Sequence, residues 1–374
     1  MSNLYFHYPF CKQACHYCNF HFSTQTRGSD RMWDAMQIEL NLRRDELQLP
    51  IESIYFGGGS PSLLNPQKIE ALLNFLSDEY AFVSDPEITL EVNPDDATND
   101  YLTMLKAAGI NRISLGVQSF IERDLKLMNR VHSSNQAQEA LSHTARLFSN
   151  FSLDLIYGMP YSNLLEWEQN INMALEYNPP HLSSYALTVE EATALHYQVK
   201  KGQILLLPEE AVQDQYLLLL ELTEQYGLIN YEFSNFGKPN YFSINNRNYW
   251  QGKPYLGIGP GAHSYDGDAL RKWNLSNNAR YIKAIEDGKQ PVKEEKLSTK
   301  DRYNEYIMTG LRTIDGISLD HIKKLFGSLY AQYLEEQAAR HFSDHNFYWD
   351  GDRLKVAKKA KFLTDGLAAD LFFI

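Results

Sequence analysis

All three cysteines of the chain lie between residues 11 and 18. Cys11, Cys15 and Cys18 occur in the stretch PFCKQACHYCNF, and their spacing is Cys-x3-Cys-x2-Cys. Thiolates bind soft metals, and zinc ions and iron–sulfur clusters are their usual partners in proteins. Three cysteines cannot all pair off, and a reducing compartment keeps thiols free. The grouping therefore predicts metal binding or redox chemistry rather than a disulfide.

Two kinds of metal site fit this spacing. A structural zinc site requires four ligands, and His7, His16 or His21 could supply the fourth beside the three thiolates. A cubane of four irons held by only three thiolates is different, because one iron then has no protein ligand and is open to a small molecule.

The same spacing with an aromatic residue, Tyr17, before the last cysteine is similar to the motif of radical S-adenosylmethionine (SAM) enzymes. The resemblance implies that Cys11, Cys15 and Cys18 bind a [4Fe-4S] cluster whose open iron chelates SAM. In that family an electron from the cluster cleaves SAM to methionine and a 5′-deoxyadenosyl radical. An electron donor such as flavodoxin or ferredoxin is then expected, although the sequence has no recognisable docking signal for one.

Further segments resemble one subfamily, the oxygen-independent coproporphyrinogen III oxidases and their relatives. They occur in the expected order between residues 5 and 265, as YFGGGSPSLL, EVNPDD, RISLGVQSF, LMNRVHS, DLIYGMP and GIGPGAHS. The resemblance implies that cluster-bound SAM is lined by Tyr5, Gly58, Gly59, Ser60 and Glu91. It also implies contacts to SAM, including a second SAM molecule in the oxidases, from Tyr17, Gln118, Arg130, Asp154 and Ala186. His263, in the GIGPGAHS segment, is expected near the same site.

Several of these residues also have ordinary structural interpretations. The three glycines at 57–59 could form a tight turn after a strand, since glycine allows close backbone approach. Glu91 could face solvent from a strand, Arg130 could form a surface ion pair, and Asp154 could cap a helix. His263 could equally be a structural histidine whose hydrogen bonds are satisfied.

Two features separate the branches of this subfamily. The oxidases carry an extra cysteine two positions after the third ligand and an extension before the motif, whereas this chain has Phe20 there and only ten residues before Cys11. Both features resemble the other branch, the heme chaperones (HemW-type proteins), which bind heme and pass it to acceptor proteins. The resemblance favours heme transfer, with coproporphyrinogen III oxidation, another radical SAM reaction such as methyl transfer, and a non-enzymatic zinc module as alternatives.

One motif departs from the chaperone pattern. That branch usually has a His-Asn-x-x-Tyr-Trp segment whose histidine has been proposed to contact heme, whereas this chain has Asn245 at the histidine position. An amide is a poor substitute for imidazole as an iron ligand. Tyr249 and Trp250 could still stack on a porphyrin, or could belong to an interface core. Another heme ligand is required if heme binds.

The elements that would position these residues alternate between strands and helices. Apolar strand-like runs occur at 4–8, 53–59, 88–93, 112–117, 152–158 and 182–188, and helical periodicity occurs between them at 66–80, 135–148 and 164–177. Such alternation predicts βαβ units and an α/β fold, and the resemblance implies a partial (β/α)6 TIM-like radical SAM barrel. Functional residues of such folds gather at the carboxyl ends of the strands, where the motifs of this chain fall.

Three regions are expected along the chain. Residues 1–240 are predicted to form the barrel, with a helix at about 209–226, residues 241–290 an extension, and residues 291–374 a small α+β winged-helix-like domain. The last region has helical runs at 300–313 and 327–343 and a hairpin signal at Asp350-Gly351. Its lysines could indicate DNA binding, but lysines more often solvate a surface.

Composition limits the classes of partner and location. The chain is 44% hydrophobic and has a formal net charge of −12, which disfavours a nucleic acid because phosphate binding depends on basic residues. The N-terminus lacks the pattern of a signal peptide, and the most apolar run, at 216–222, is far too short for a membrane span. A cytoplasmic protein is therefore expected.

Overall fold

Six consecutive strands run parallel and neighbour one another in chain order. In the computed structural model, which describes residues 2–374, they are β1 (Asn3–Tyr8), β2 (Ile51–Gly58), β3 (Phe82–Val92), β4 (Arg112–Gln118), β5 (Phe151–Tyr157) and β6 (His181–Ala186). Each strand pairs in parallel with the next. All six correspond to predicted strands, and the expectation of a partial (β/α)6 barrel is confirmed.

Helices connect these strands and cover their outer face. They are α1 (Ser29–Leu42), α2 (Pro66–Glu79), α3 (Asn99–Ala107), α4 (Glu122–Leu127), α5 (Ser134–Leu147), α6 (Leu164–Leu175), α7 (Ala194–Lys200) and α8 (Glu209–Gln225), with short 3-10 turns at Arg44–Glu46 and Pro61–Leu63. Asn65, Thr98, Ser133 and Asn163 each cap a helix by accepting a backbone N–H bond. Such caps fix where a helix begins.

The two faces of the barrel strands differ in chemistry. On β4, Ile113, Leu115 and Val117 point outward into the apolar core between sheet and helices. Arg112 and Ser114 alternate with them and line a cavity inside the barrel. The interior of an ordinary TIM barrel is filled by branched apolar side chains. Here the interior is polar and contains open space.

Shorter strands extend the sheet on both sides of the barrel. Antiparallel β8 (Asn235–Gly237) and β7 (Ile229–Glu232) follow β6, and β9 (Tyr255–Ile258) pairs in parallel with β1. Next to β9 lie β10 (His263–Tyr265), β11 (Leu270–Asn274) and β12 (Val292–Lys296), while α9 (Ile244–Trp250) and α10 (Asn278–Glu286) pack beside them. The sheet thus has twelve strands, in the order β12-β11-β10-β9-β1-β2-β3-β4-β5-β6-β8-β7.

The C-terminal region has a core of its own. Its elements are α11 (Thr299–Leu311), β13 (Ile317–Ser318), α12 (Leu319–Phe326), α13 (Ser328–Ala339), β14 (Phe347–Asp350), β15 (Arg353–Val356), a 3-10 segment at Lys358–Leu363 and α14 (Thr364–Asp370). The three strands form a small sheet in the order β13-β15-β14. Gly351 makes the predicted hairpin turn with a φ of 63°. This arrangement confirms the winged-helix-like α+β fold.

Hydrogen bonds attach this C-terminal region to the barrel. The backbone N–H of Ile314 donates to the carbonyl of Tyr231 at 2.9 Å, and Glu232 and Thr313 form an antiparallel bridge. Lys361 also donates to Asn230 on the barrel side at 2.5 Å. Within residues 2–374, no helix is long and apolar enough to span a lipid bilayer.

Candidate functional site

The loop that carries the cysteines is held at both of its ends. At its base, Cys11 N–H donates to the carbonyl of Ser23 at 3.0 Å, and Ser23 N–H donates to Pro9 at 2.9 Å. Across the barrel mouth, Asn129 donates from its side chain to the Ala14 carbonyl at 2.8 Å. The loop after β1 is therefore clamped between its own strand and the loop after α4.

The three thiols line one cavity at the carboxyl ends of the strands. This cysteine cavity has a volume of about 170 Å³. Its walls include Cys11, Cys15, Tyr17, Cys18, Gly58, Gly59, Ser60, Glu91, Asn93, Ser114, Gln118, Arg130, Asp154 and Tyr185. Of the fourteen residues predicted to bind the cluster or SAM, eleven line this cavity. The three others are Tyr5, Ala186 and His263.

Arg130 places a buried positive charge beside the thiols. Its guanidinium donates to Cys15 Sγ at 3.4 Å, to Asn93 Oδ1 at 2.8 Å and to the Gly116 carbonyl at 2.8 Å. The same cation acts to lower the pKa of Cys11 and Cys18, against the larger effect of burial. The alternative of an exposed surface ion pair for Arg130 does not match this position.

Burial changes the acidity of two of the thiols. It raises the pKa of the Cys11 thiol to about 11, and it raises the pKa of Cys18 as well. Metal ligands must be deprotonated, so binding at these thiols releases protons. The donor set, three thiols in one cavity with an adjacent arginine, fits an iron–sulfur cluster.

The three histidines considered as a fourth zinc ligand are engaged elsewhere. His7 uses both ring nitrogens, with Tyr5 Oη at 3.1 Å and the His21 carbonyl at 2.8 Å. His16 Nδ1 bonds to the Leu127 carbonyl at 2.8 Å, and His21 Nε2 bonds to Asn278 at 2.7 Å. Within residues 2–374, no three His, Cys, Asp or Glu side chains are arranged to hold a metal ion. The thiols thus line a shared space rather than surround one point.

Two glycines bring the end of β2 against the start of the cysteine loop. A Cβ on Gly59 would lie 2.6 Å from the Phe10 carbonyl oxygen and 2.8 Å from that of Tyr8. Gly58 has a φ of 102°, in the left-handed region that side chains disfavour, and its Cβ would meet the His7 ring at 2.7 Å. Glycine is required at both positions for this close approach.

Two acidic residues lie inside the barrel next to the cysteine cavity. Burial raises the pKa of Glu91 to about 7 and that of Asp154 to about 7. Glu91 accepts a hydrogen bond from Tyr55 at 2.9 Å, and Asp154 accepts one from Ser114 at 3.4 Å. Neither the solvent-facing interpretation of Glu91 nor the helix-cap interpretation of Asp154 matches these surroundings.

A second cavity, here called the interior cavity, continues from the first into the barrel. Its volume is about 390 Å³, and it shares Tyr17, Cys18, Phe20, Glu91, Ser114, Asp154 and Tyr185 with the cysteine cavity. Ala186, one of the predicted SAM contacts, lies in this wall. Phe20, the residue at the position of the oxidases' extra cysteine, is 67% exposed and borders both spaces.

A third and larger cavity lies between the barrel and the C-terminal region. This large cavity has a volume of about 710 Å³ and is rich in aromatic rings. It is lined by Tyr5, Tyr55, Asn235, Asn245, Asn246, Tyr249, Trp250, Tyr255, Tyr265, Arg271, Arg302, Glu305, Tyr306, His321 and Phe326, among others. It shares Tyr55, Asn235 and Asn246 with the interior cavity. The three cavities therefore form one series from the thiols to the C-terminal region.

Besides Ala186, two predicted residues lie outside the cysteine cavity. Tyr5 lines the large cavity instead and donates toward, or accepts from, His7 Nδ1. His263 lies on β10 and stacks its ring on Trp273 with centroids 6.0 Å apart. His7 links Tyr5 to the His21 carbonyl in the cysteine loop. The pKa of His7 is lowered to about 4, chiefly by burial and also by the neighbouring His21 and His263.

Sequence reasoning missed several residues that line these cavities. Alternate residues of each barrel strand point into the barrel, and this pattern could have identified Arg112, Ser114 and Asn93. The contribution of Arg302, Tyr306 and His321 had no such signal, because it depends on how the C-terminal region packs against the barrel.

Comparison with known protein families supports this architecture. The Radical SAM superfamily matches residues 5–174, and the HemN C-terminal domain matches residues 297–363. The "Heme chaperone HemW" of Bacillus subtilis (strain 168) is 33% identical over 340 residues, which cover 90% of this chain and 88% of that protein. The mitochondrial "Radical S-adenosyl methionine domain-containing protein 1" of Mus musculus is 36% identical over 70% of this chain and 60% of that protein.

A solved structure shares the fold over nearly the whole chain. The coproporphyrinogen III oxidase (HemN) of Escherichia coli, described as a radical SAM enzyme, superposes with a TM-score of 0.83 at 23% identity, covering 99% of this chain and 89% of that one. The likeness in structure is one of fold. Taken with the sequence relatives, these matches establish that the chain belongs to the radical SAM superfamily and, within it, to the family of proteins named heme chaperone HemW.

Proposed function

We propose that this chain is a radical SAM protein that binds heme and transfers it to an acceptor protein. The observation that carries the proposal is the series of three cavities, which joins the cysteines to an aromatic space large enough for a tetrapyrrole. A volume of about 710 Å³ falls within the roughly 300–1,000 Å³ typical of small-molecule sites. The names of the relatives in the HemW family agree with this ligand.

In this proposal Cys11, Cys15 and Cys18 hold a [4Fe-4S] cluster, and SAM lies beside it in the cysteine and interior cavities. When bound and reduced, such a cluster supplies the electron for cleavage of SAM. Gly58, Gly59 and Ser60 approach from the end of β2, and Glu91 offers hydrogen-bond acceptors for ribose hydroxyls. Tyr17, Gln118, Arg130, Asp154 and Ala186 complete the walls, whether for one SAM molecule or two.

The large cavity is the proposed heme site. Tyr249 and Trp250 lie on its wall, and aromatic rings stack favourably on extended π systems. Asn245 also lies there, but its backbone N–H donates to Glu87 at 3.1 Å, and its amide is a poor iron ligand. Among the described residues that line this cavity, His321 supplies the one imidazole, and it is the axial ligand we propose.

The surroundings of His321 favour the protonation state that iron requires. Its pKa is lowered by partial burial and by the nearby Lys324 and Arg353, which favours the neutral ring. A neutral imidazole nitrogen binds heme iron, whereas imidazolium does not. The ring of Tyr306 lies 4.9 Å away and restricts its orientation.

The remaining partners follow from the same chemistry. We propose an electron donor of the flavodoxin or ferredoxin class, because the cluster must be reduced before SAM is cleaved. We also propose the cytoplasm as the location, where reducing conditions keep Cys11, Cys15 and Cys18 available as free thiols.

The test is an anaerobic heme titration of the cluster-loaded protein. Wild type is expected to give a saturable Soret band and to pass heme to an apo-hemoprotein, while Tyr249→Ala weakens binding. The same preparation is given SAM, a reductant and coproporphyrinogen III. Multiple turnovers to protoporphyrinogen IX would contradict the chaperone function and establish an oxidase instead; no product from a protein that binds heme would support the proposal.

A further inference from the structure

Arg112 is a buried cation inside the barrel. It is the first residue of β4, and its Cα is in register with Thr89 of β3. Its side chain is 2% exposed and lines the interior cavity together with Ser152, His181 and Ser183. A charged side chain placed this deep usually forms charge-assisted hydrogen bonds that offset its lost hydration.

The guanidinium of Arg112 lacks such bonds. Among residues 2–374, no side chain or carbonyl accepts a hydrogen bond from it, and its Nε is enclosed without a partner. The nearest carboxylate, that of Glu87, lies 3.8 Å from Nε. A guanidinium carries five N–H donors in a rigid planar arrangement. The donors of Arg112 have no acceptor among the described residues and suit a planar anion such as a carboxylate.

Glu87 is already committed to another element. Its oxygens accept from the backbone N–H of Ile244 at 2.9 Å, from the backbone N–H of Asn245 at 3.1 Å and from Ser243 Oγ at 3.2 Å. These bonds satisfy the first turn of α9, so the carboxylate serves as the anion at that helix terminus. Glu87 therefore does not supply the missing acceptors for Arg112.

The other polar groups of the interior cavity do not supply them either. His181 bonds to Ser152 at 2.7 Å and to Tyr231 at 2.8 Å, so both of its ring nitrogens are used. Asp154 is near enough to interact electrostatically with Arg112, but its hydrogen bond is to Ser114. The unused N–H donors of Arg112 thus border the open space of the interior cavity.

We propose that Arg112 binds a carboxylate of a ligand that occupies the interior cavity. This inference rests on the proposed function, because the carboxylate we expect is a propionate of the tetrapyrrole in the large cavity. Tyr55, Asn235 and Asn246 border both cavities, so the two spaces adjoin, as a propionate that reaches Arg112 from the large cavity requires. The methionyl carboxylate of a SAM molecule has the same chemistry and is the second possible source.

The test uses the anaerobic, cluster-loaded protein and three probes: heme, heme dimethyl ester and SAM. Arg112→Gln is expected to weaken heme binding about 10-fold to 100-fold, since hydrogen bonds to charged groups have that effect. Arg112→Lys keeps the positive charge but not the planar guanidinium, so it should lose less heme affinity than Arg112→Gln. Binding of the ester should be weak in wild type and unchanged in both variants.

The control is Arg123→Gln, because Arg123 lies outside the three cavities and pairs with Glu166 at 3.0 Å on the surface of the barrel. It should leave all three affinities unchanged. A loss of SAM affinity in Arg112→Gln with unaltered heme affinity would assign the carboxylate to SAM. Unchanged affinity for both ligands in a folded variant would overturn the proposal.

Two outcomes keep this test separate from the proposed function. If wild type binds no heme, the heme chaperone proposal fails, while the SAM arm still decides the role of Arg112. If Arg112→Gln does not fold, Arg112→Lys and the comparison of heme with its dimethyl ester on wild type carry the test. Equal affinity for these two ligands would refute propionate binding at Arg112.

Discussion

Arg130 couples the chemistry of the thiols to the end of the sheet. It contacts Cys15 directly and reaches the carbonyl of Gly116 on β4 in the same fork of donors. A cluster held by three thiolates brings negative charge into a buried cavity, and a fixed cation offsets part of it. Arg130 therefore supplies a compensating charge to the cysteine loop and adds one contact to those that hold the loop in place.

Cys15→Ser is expected to abolish assembly of the cluster. The loop bonds near this residue involve backbone atoms, such as Cys18 N–H to the Cys15 carbonyl at 3.3 Å, and serine preserves them. The barrel should therefore unfold at nearly the wild-type denaturant concentration. Iron and acid-labile sulfide are measured after anaerobic reconstitution. Full iron and sulfide content in the variant would refute the ligand assignment.

His321→Ala is expected to shift the Soret band of the heme complex and to weaken heme binding. The variant removes the imidazole from the wall of the large cavity but leaves the tyrosines and Trp250 in place. His143, which bonds to the Ala97 carbonyl at 3.3 Å away from these cavities, provides the matched control as His143→Ala. Identical absorption and resonance Raman spectra for His321→Ala and wild type would exclude His321 as the axial ligand.

Asp154→Asn is expected to flatten the dependence of stability on pH. Burial raises the pKa of Asp154 from 3.8 to about 7, so the folded state keeps its proton where the unfolded state has lost it. This contribution to the unfolding free energy is complete below pH 3.8 and is lost as pH rises toward 7. Glu91 contributes in the same direction, so some dependence should remain.

Urea unfolding of wild type and Asp154→Asn, prepared identically and measured between pH 5 and pH 8, checks this expectation. Wild type should lose unfolding free energy over the range, and the variant should lose less. Parallel curves for the two proteins would show that Asp154 does not titrate as a buried carboxyl.

At the level of single elements, the end of β2 and the cysteine loop form one packed unit. Ser60 N–H donates to the Phe10 carbonyl at 2.7 Å, and Gly59 N–H donates to that of Tyr8 at 2.9 Å. On the other side, Lys12 pairs with Asp95 at 2.7 Å and with Asp96 in the loop after β3. Three consecutive strands therefore determine where the loop lies.

Gly59→Ala is expected to lower the cluster content of the protein by more than half. Its new Cβ would overlap backbone oxygens of Phe10 and Tyr8, which cannot move without shifting the loop. The cost in unfolding free energy should be about 1–3 kcal/mol. Iron content and thermal unfolding measure both effects.

Gly366→Ala is the matched control for that substitution. Gly366 lies in α14, and a Cβ there would meet no atom within 4 Å. Alanine in a helix is favoured over glycine by about 1 kcal/mol, so this variant should be as stable as wild type or more so. A Gly59→Ala protein that matches it in cluster content would contradict the close-approach argument.

The sequence predicted the long elements well because each has a strong periodicity. The six barrel strands, α2, α5, α6 and α8 all lie where alternation or helical spacing placed them. The segment from α9 to β12 showed only turn signals, because β9 and β10 have four and three residues and depend on pairing with β1 and β11. Short strands of this kind are specified by their neighbours rather than by their own pattern.

The candidate site divides in the same way. The residues of the cysteine cavity follow local motifs, and their strand-end positions could be expected from the fold. The large cavity could not be expected, because part of its wall comes from a distant part of the chain. This part includes Glu305, Tyr306 and His321, which lie more than fifty residues beyond the end of α9. Its existence depends on tertiary packing between two separate cores.

At the level of the whole molecule, ion pairs join the extension of the sheet to the C-terminal region. Arg271 on β11 pairs with Glu305 on α11 at 2.7 Å, and Arg302 on α11 pairs with Asp268 at 2.5 Å. Both pairs lie in the wall of the large cavity. The width of the proposed heme site is therefore set by how the two regions associate.

Glu305→Lys is expected to weaken heme binding while leaving the cluster intact. The substitution places two cations together at the boundary, where like charges repel and separate β11 from α11. Exchange of the pair, as Arg271→Glu with Glu305→Lys, should restore part of the affinity, with a coupling of about 0.5–3 kcal/mol. Heme titration of the single and double variants measures this coupling, and their iron content shows whether the cluster is intact. Additive effects on heme affinity would show that the ion pair does not determine the width of the large cavity.

The polar interior of the barrel affects how stable the protein is in the cell when its ligands are scarce. An ordinary barrel is stabilised by its apolar filling, whereas here cofactor and ligand would occupy much of that space. A ligand that binds only the folded state raises its stability in proportion to the logarithm of its concentration. Chains made when iron or heme is scarce should thus be degraded faster, so that the abundance of the protein follows the supply of what it carries.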